Sequence, residues 1–102
     1  MLSLRAMKPS EALNAHRAGL RALVARHAAL HPRVFGSVAQ GNDTEASDLD
    51  LLIDPTPRTT LLTLASIQFE AERLLGVRVD VLTPNSLPLR IRERVLRDAV
   101  PV

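Results

Sequence analysis

Three aspartates stand where a polar strand face would gather them. Asp48 and Asp50 alternate with Leu49 and Leu51, and Asp80 alternates with Val79 and Val81. In each segment the acids therefore share one face and the aliphatic side chains the other. Carboxylates held close together repel, raise one another's pKa and destabilise a fold unless a cation sits between them. The chain has no cysteine, so any metal must rest on oxygen or imidazole ligands. Three acids suit Mg²⁺ better than Zn²⁺, because Mg²⁺ prefers oxygen, keeps several waters and is commonly completed by substrate phosphates. Two such ions about 3.5–4 Å apart could activate an attacking oxygen and stabilise a leaving one. Gly36-Ser37 supplies the second ingredient. A turn that opens a helix offers backbone N–H groups to an anion, a glycine lets phosphate approach the main chain, and the serine hydroxyl adds a donor.

These residues need short strands joined by turns and backed by helices. Arg33-Val34-Phe35 predicts a short strand, Gly36 to Gly41 a tight turn leading into at most one helical turn, and Asn42 to Ser47 a polar loop. Asp48 to Ile53 predicts a strand with Leu49, Leu51 and Ile53 turned to a core, and Val77 to Leu82 predicts another. Leu13, Leu20, Leu23, Val24 and Leu30 recur at helical spacing, which predicts a helix of roughly five turns from a cap at Ser10 to a stop at Pro32. His16 and His27 lie on that stripe and are expected at the edge of the core, satisfied by local hydrogen bonds. Leu61, Leu64, Ile67, Ala71 and Leu74 mark a second helix, set off by Pro55-Thr56-Pro57 and ending at Gly76. A last helix starts around Ser86 to Pro88 and continues to about Ala99, with Ile91 and Val95 turned inward. The order helix, strand, strand, helix, strand, helix is expected to fold as an α+β (α/β sandwich) unit, a small mixed β-sheet with helices packed on one face.

Composition narrows the function classes. The 102 residues are 46% hydrophobic and 24% charged, which fits one domain spanning residues 1–102 rather than a disordered tail or a membrane protein. No apolar stretch is long enough to span a bilayer. Met1 to Met7 lacks the apolar core and cleavage site of a secretory signal, with Met1 or Met7 as the start, so a cytoplasmic location is expected. The net charge of +2 conceals a basic first third, with Arg5, Lys8, Arg17, Arg21, Arg26 and Arg33 against Glu11 alone. An acidic block follows at Asp43, Glu45, Asp48, Asp50 and Asp54. Only Phe35 and Phe69 are aromatic, which leaves no series of stacking platforms, so direct nucleic-acid binding is not expected.

A phosphate cradle beside a three-acid cation site describes nucleotidyl transfer, in which an oxygen attacks the α-phosphorus of a nucleoside triphosphate and pyrophosphate leaves. Gly36-Ser37, ten intervening residues, Asp48-Leu49-Asp50 and then Asp80 resemble the signature of the DNA polymerase beta-like nucleotidyltransferase superfamily. The run Phe35-Gly36-Ser37-Val38-Ala39-Gln40-Gly41, the run Ser47-Asp48-Leu49-Asp50-Leu51 and the short length resemble the minimal nucleotidyltransferases (MNT), the antitoxin half of bacterial HEPN/MNT toxin–antitoxin pairs. The resemblance runs from about Val34 to Leu82. It implies the polymerase beta-like fold, with Ser37 and the amides around Gly36 holding the triphosphate, Asp48 and Asp50 ligating two Mg²⁺, and Asp80 ligating the ion that activates the attacking hydroxyl. It further implies that AMP passes from ATP to a tyrosine hydroxyl of a cognate HEPN ribonuclease toxin, which silences the toxin within a hetero-oligomer.

Gln40, the third expected nucleotide contact, departs from the pattern, since many relatives carry arginine there. A neutral donor in place of a fixed cation implies a weaker hold on triphosphate. Asp54 shares the phase of Asp48 and Asp50 but precedes Pro55, and is expected as a solvated strand-end acid rather than a fourth ligand. Arg90, Arg94 and Arg97 are expected on a solvated face of the last helix, with docking of an acidic partner or nucleic acid as the alternative. The competing function is a non-catalytic antitoxin that occludes its toxin and keeps a vestigial nucleotide site; transfer to a nucleic-acid end is less favoured for want of a channel. With so few aromatics, a partner is expected to complete the nucleotide's pocket. Asn at position 48 or 50 is expected to abolish transfer without loss of metal-free stability.

Overall fold

The computed structural model describes residues 7–102; the reading of residues 1–6 as lacking a secretory signal lies outside them. Helix α1 spans Pro9–Arg26 and is kinked at His16. Its N-cap is Lys8 rather than Ser10. Lysine cannot accept a hydrogen bond, so the free donors are met by other residues: Glu11 accepts from the Lys8 N–H (2.9 Å), and buried Asp43, far along the chain, accepts from the Ser10 N–H (2.9 Å). The helix stops at Arg26, before Pro32, because the chain reverses at Ala28 (φ 57°) and enters strand β1, Leu30–Phe35. Leu30 thus leaves the apolar stripe and is exposed. Pro32 is tolerated within the strand because the ladder to β2 skips from Leu30 to Arg33 at an irregularity.

Helix α2 is the single turn Ser37–Gln40, and β2 spans Leu49–Asp54. Helix α3 spans Leu61–Leu75, capped by the Thr60 hydroxyl, which accepts from the Thr63 N–H, and ended by left-handed Gly76. Strand β3 spans Val79–Leu82, and the 3₁₀ turn Pro84–Ser86 leads to α4, Leu89–Asp98. A two-residue strand, β4 at Val100–Pro101, closes the order. It was not expected, since two residues carry no periodicity.

The sheet runs β3-β2-β1-β4, with β2 parallel to β3 and antiparallel to β1, and β1 antiparallel to β4. This is the mixed sheet of the expected α+β class. Helices α1 and α3 cover one face with Leu13, Leu20, Val24, Ile67, Ala71 and Leu75, which pack in one core with Val34, Leu49, Leu51, Ile53 and Val79. Full burial of such side chains stabilises by about 1.5–3 kcal/mol each relative to exposure. Leu61, at the start of the α3 stripe, is by contrast 85% exposed. Glu70 ties the two helices together, pairing with Arg26 at 3.1 Å and with His27 at 2.8 Å. His27 is thus a satisfied core-edge histidine, through a long-range partner, whereas His16 is exposed at the kink. Among the described residues no helix is long and apolar enough to cross a membrane.

Candidate active site

Hydrophobic alternation in β1 and β2 leaves a polar row on the face away from α1 and α3. Val34 lies in the core, so Phe35 points the other way; Phe35 pairs with Asp50, and Asp50 pairs with Asp80 across the parallel ladder. The row Phe35, Asp50, Asp80 crosses three strands. Asp48 precedes β2 by one residue and keeps the phase of Asp50. All three expected acids therefore share one side of the sheet.

The turn after Phe35 abuts this row. Gly36 has φ 72° and ψ −146°, a backbone region that side chains essentially exclude. A Cβ there would also collide with Asp50 Oδ2. Glycine is therefore required twice, by backbone conformation and by the acid lying against it. Ser37 is the first residue of α2 and half-buried, and the first amides of that turn have no preceding helical carbonyl to bond. Gln40 is the last residue of α2 and exposed.

The acids are in unlike states. The Asp50 carboxyl is pushed up to about 6 by burial first, then by the charges of Asp80 and Asp48. Asp80 is exposed on β3. Asp48 Oδ1 lies 3.0 Å from Arg78 Nε, yet this buried oxygen receives no hydrogen bond. The contact is one of charge without donor alignment, and Arg78 is 79% exposed, so the pair is weak. Among the described residues, no three histidine or acid side chains already form a set that could hold a metal. The expected closed cage is thus an open arrangement, with Asp48 drawn toward Arg78. The donors themselves fit a hard divalent cation: all are carboxylate oxygens, one lacks a hydrogen-bond partner, and Asp50 resists ionisation through burial and the charges of Asp80 and Asp48.

Asp54, at the far end of β2, lies apart from this group. His31 Nδ1 is 2.7 Å from its Oδ2 and Arg33 donates to its Oδ1 at 3.1 Å. Burial alone would raise its pKa, but those hydrogen bonds outweigh it and hold the carboxyl below its ordinary value. It is an ion-paired strand-end acid rather than a merely solvated one.

The arginines of α4 also separate. Arg92 donates to the Asn85 and Leu87 carbonyls, and Arg97 meets Asp98 at 3.2 Å. Arg94 lines a cavity of about 200 Å³ with Phe35, Gly36, Gln40, Ile91 and Val95. Arg94 is exposed, as expected of a solvated face, but the spacing already placed it beside the cavity, because Ile91, Arg94, Val95 and Asp98 recur at i, i+3, i+4 and i+7 and so share one side of the helix. Arg78 was likewise in phase with Asp80 and so on the site's face.

A glycine turn lying against carboxylates on two adjacent strands is an arrangement that could bring an anion and a cation together. Residues 21–102 match the model of the nucleotidyltransferase domain family, and the chain belongs to that family. It is 36% identical over 80 residues to a Methanocaldococcus jannaschii protein that bears a protein adenylyltransferase name, covering 78% of this chain and 86% of that one. It is 41% identical over 69 residues to the protein adenylyltransferase MntA of Thermococcus cleftensis, covering 68% and 70%. A solved structure described as a minimal nucleotidyltransferase superposes with TM-score 0.82 at 48% identity, over 91% of this chain and 95% of its own. A crystal structure of a toxin–antitoxin with AMP-PNP shares the fold at TM-score 0.71 and 16% identity, over 82% and 69%. With relatives of the MNT type, the chain is an adenylyl-transferring enzyme.

Proposed function

We propose that this enzyme transfers AMP from ATP to a tyrosine hydroxyl of a cognate HEPN ribonuclease toxin, with two Mg²⁺ bound, and so acts as a cytoplasmic antitoxin. The observation that carries the chemistry is the setting of Asp50, wedged between the Gly36 turn and Asp80 with its carboxyl pushed up to about 6. An acid so placed gains from a cation and from a phosphate that brings one. The toxin–antitoxin described with AMP-PNP has this fold, and the MntA relative is named for protein adenylyl transfer, which supports a protein acceptor.

Asp48 and Asp50 would hold both Mg²⁺ and Asp80 one of them; the ions would supply charge neutralisation for the phosphates and a lowered pKa at the attacking oxygen. Ser37 and the amides of the Gly36 turn would bind the triphosphate and orient the α-phosphorus. The acceptor oxygen attacks that phosphorus, the bond to the bridging oxygen breaks, and pyrophosphate leaves as the hydroxyl proton departs. Exposed Asp80 sits on the open side of the row, where a protein hydroxyl can approach and pass its proton to the carboxylate. The cavity beside Gly36, about 200 Å³, is smaller than the roughly 300–1,000 Å³ that whole ligands occupy. A partner that supplies the remaining wall is consistent with this, and ATP affinity should then rise in the complex.

A second reading, occlusion of the toxin with a vestigial nucleotide site, is favoured by the open carboxylate arrangement and by exposed Gln40. Incubating the protein with ATP, Mg²⁺ and the product of the adjacent gene, then weighing the intact chains, separates the two. An added adenylyl mass on the partner supports transfer. A stable complex with no mass change supports occlusion and refutes transfer.

A further inference from the structure

Position 40 lacks the cation that its motif commonly carries, yet the cavity onto which Gln40 opens has a cation from another element. We propose that Arg94 of α4 is a nucleotide-binding residue that supplies the positive charge for the triphosphate in place of an arginine at position 40. The inference rests on the reading of Gly36-Ser37 as the phosphate turn and names a residue that the motif does not contain.

Arg94 shares the lining of one cavity with Gly36, Ala39 and Gln40, the outer side of the phosphate turn. Ile91 and Val95, three positions before and one after it, are half-buried and line the same cavity. Arg94 itself is exposed at the mouth of that cavity, so its guanidinium is open to an incoming anion. Among the described residues Arg94 makes no ion pair or hydrogen bond, whereas Arg92 and Arg97 are engaged with Asn85, Leu87 and Asp98. Arg78, by contrast, leans on Asp48. Asp98 lines the cavity too and would repel phosphate, but Arg97 sits against its Oδ1 at 3.2 Å. The cavity's size suits phosphate groups rather than a whole nucleotide. A guanidinium is charged at every working pH and its fork matches two phosphate oxygens, which a glutamine amide does not.

The test measures binding of AMP-PNP and of AMP to the full chain with Mg²⁺ by calorimetry. Arg94→Ala should weaken AMP-PNP roughly tenfold or more, the scale of a lost charge-assisted hydrogen bond, while AMP changes little. Arg94→Lys should fall between, Arg90→Ala should bind as wild type, and Gln40→Arg added to Arg94→Ala should restore affinity. Far-UV circular dichroism and the melting temperature report whether each variant is folded; should Arg94→Ala not fold, Arg94→Lys and Gln40→Arg in the wild-type background carry the comparison. Equal AMP-PNP affinity in wild type and Arg94→Ala overturns the role of Arg94. So does an equal loss for AMP and AMP-PNP without rescue by Gln40→Arg, which would mark a packing role. A wild-type chain that binds AMP but not AMP-PNP overturns the phosphate turn itself, and the proposed function with it.

Discussion

Asp50→Asn in chelator should stabilise the protein at pH 8 and leave it unchanged at pH 4. The Asp50 carboxyl ionises near 6 in the folded chain against 3.8 ordinarily. Between those values the folded state holds a proton that the unfolded state has released, so stability falls as pH rises through the window and the loss is complete above about 6. A displacement of about two pH units corresponds to ~3 kcal/mol at 1.36 kcal/mol per unit. The side chain is only partly buried, so screening by solvent reduces this to ~1–2 kcal/mol. Asparagine removes the charge and should recover that amount at pH 8, a rise of about 5–10 °C in Tm for a chain of this length. At pH 4 the wild-type carboxyl is already neutral and the two curves should coincide. Asp48→Asn is the comparison: its partner Arg78 is mostly exposed, so it should change stability by less than ~0.5 kcal/mol at either pH. Urea or thermal unfolding of the three chains across pH 4–8 decides. An Asp50→Asn chain no more stable than wild type at pH 8 refutes the cost assigned to the buried, crowded carboxylate. A gain that persists at pH 4 assigns it to packing instead.

Gly36→Ala meets both the left-handed backbone and Asp50 Oδ2 and should cost about 1–3 kcal/mol in urea unfolding, with loss of AMP-PNP binding. Asp43→Ala leaves the Ser10 N–H without its acceptor and should lower stability by about 1 kcal/mol, as lost caps do, while transfer activity is unchanged; an unaltered Tm would refute the capping role. Asp54 is held below its ordinary pKa by His31 and Arg33, so its contribution is present above about pH 4 and lost as pH falls further. Asp54→Asn should therefore be less stable than wild type at pH 7, by up to ~1 kcal/mol, and converge with it as pH falls through the lowered pKa of Asp54.

Much of the site is local and so was legible. The alternation of Asp48, Asp50 and Asp80 with aliphatics set their faces, and the strands obey it. Features decided by distant pairing were hidden. The N-terminus of α1 is satisfied by Asp43, 33 residues away, so the nearest polar residue, Ser10, was the wrong cap. Pro32 looked like a helix stop because a proline inside a strand is disfavoured, and only the skipped register against β2 makes room for it. The pairing of Arg78 with Asp48 depends on which residues of β2 and β3 stand side by side, a matter of register that neither segment carries alone. β4 exists because β1 has a free edge, not because Val100-Pro101 has strand character.

Strand β2 shows how one run of alternating acids can hold three different carboxylates. Asp54 at one end has His31 and Arg33, Asp48 at the other has Arg78 at contact distance, and Asp50 between them, among the described residues, is paired with no cation and faces Asp48, Asp80 and the backbone turn at Gly36. The ends of the strand thus have cations at contact distance, and burial and repulsion act together on the middle acid. Gly36 brings its turn against that acid, so on the proposed reading the cation site and the anion cradle meet at one point. A substitution that gave Asp50 its own arginine would relieve the repulsion and, on that reading, take the place of the metal by the same act. On the proposed reading, selection for a stable strand and selection for nucleotidyl transfer pull this position in opposite directions, since the charge left unpaired at Asp50 is the one a bound cation would meet.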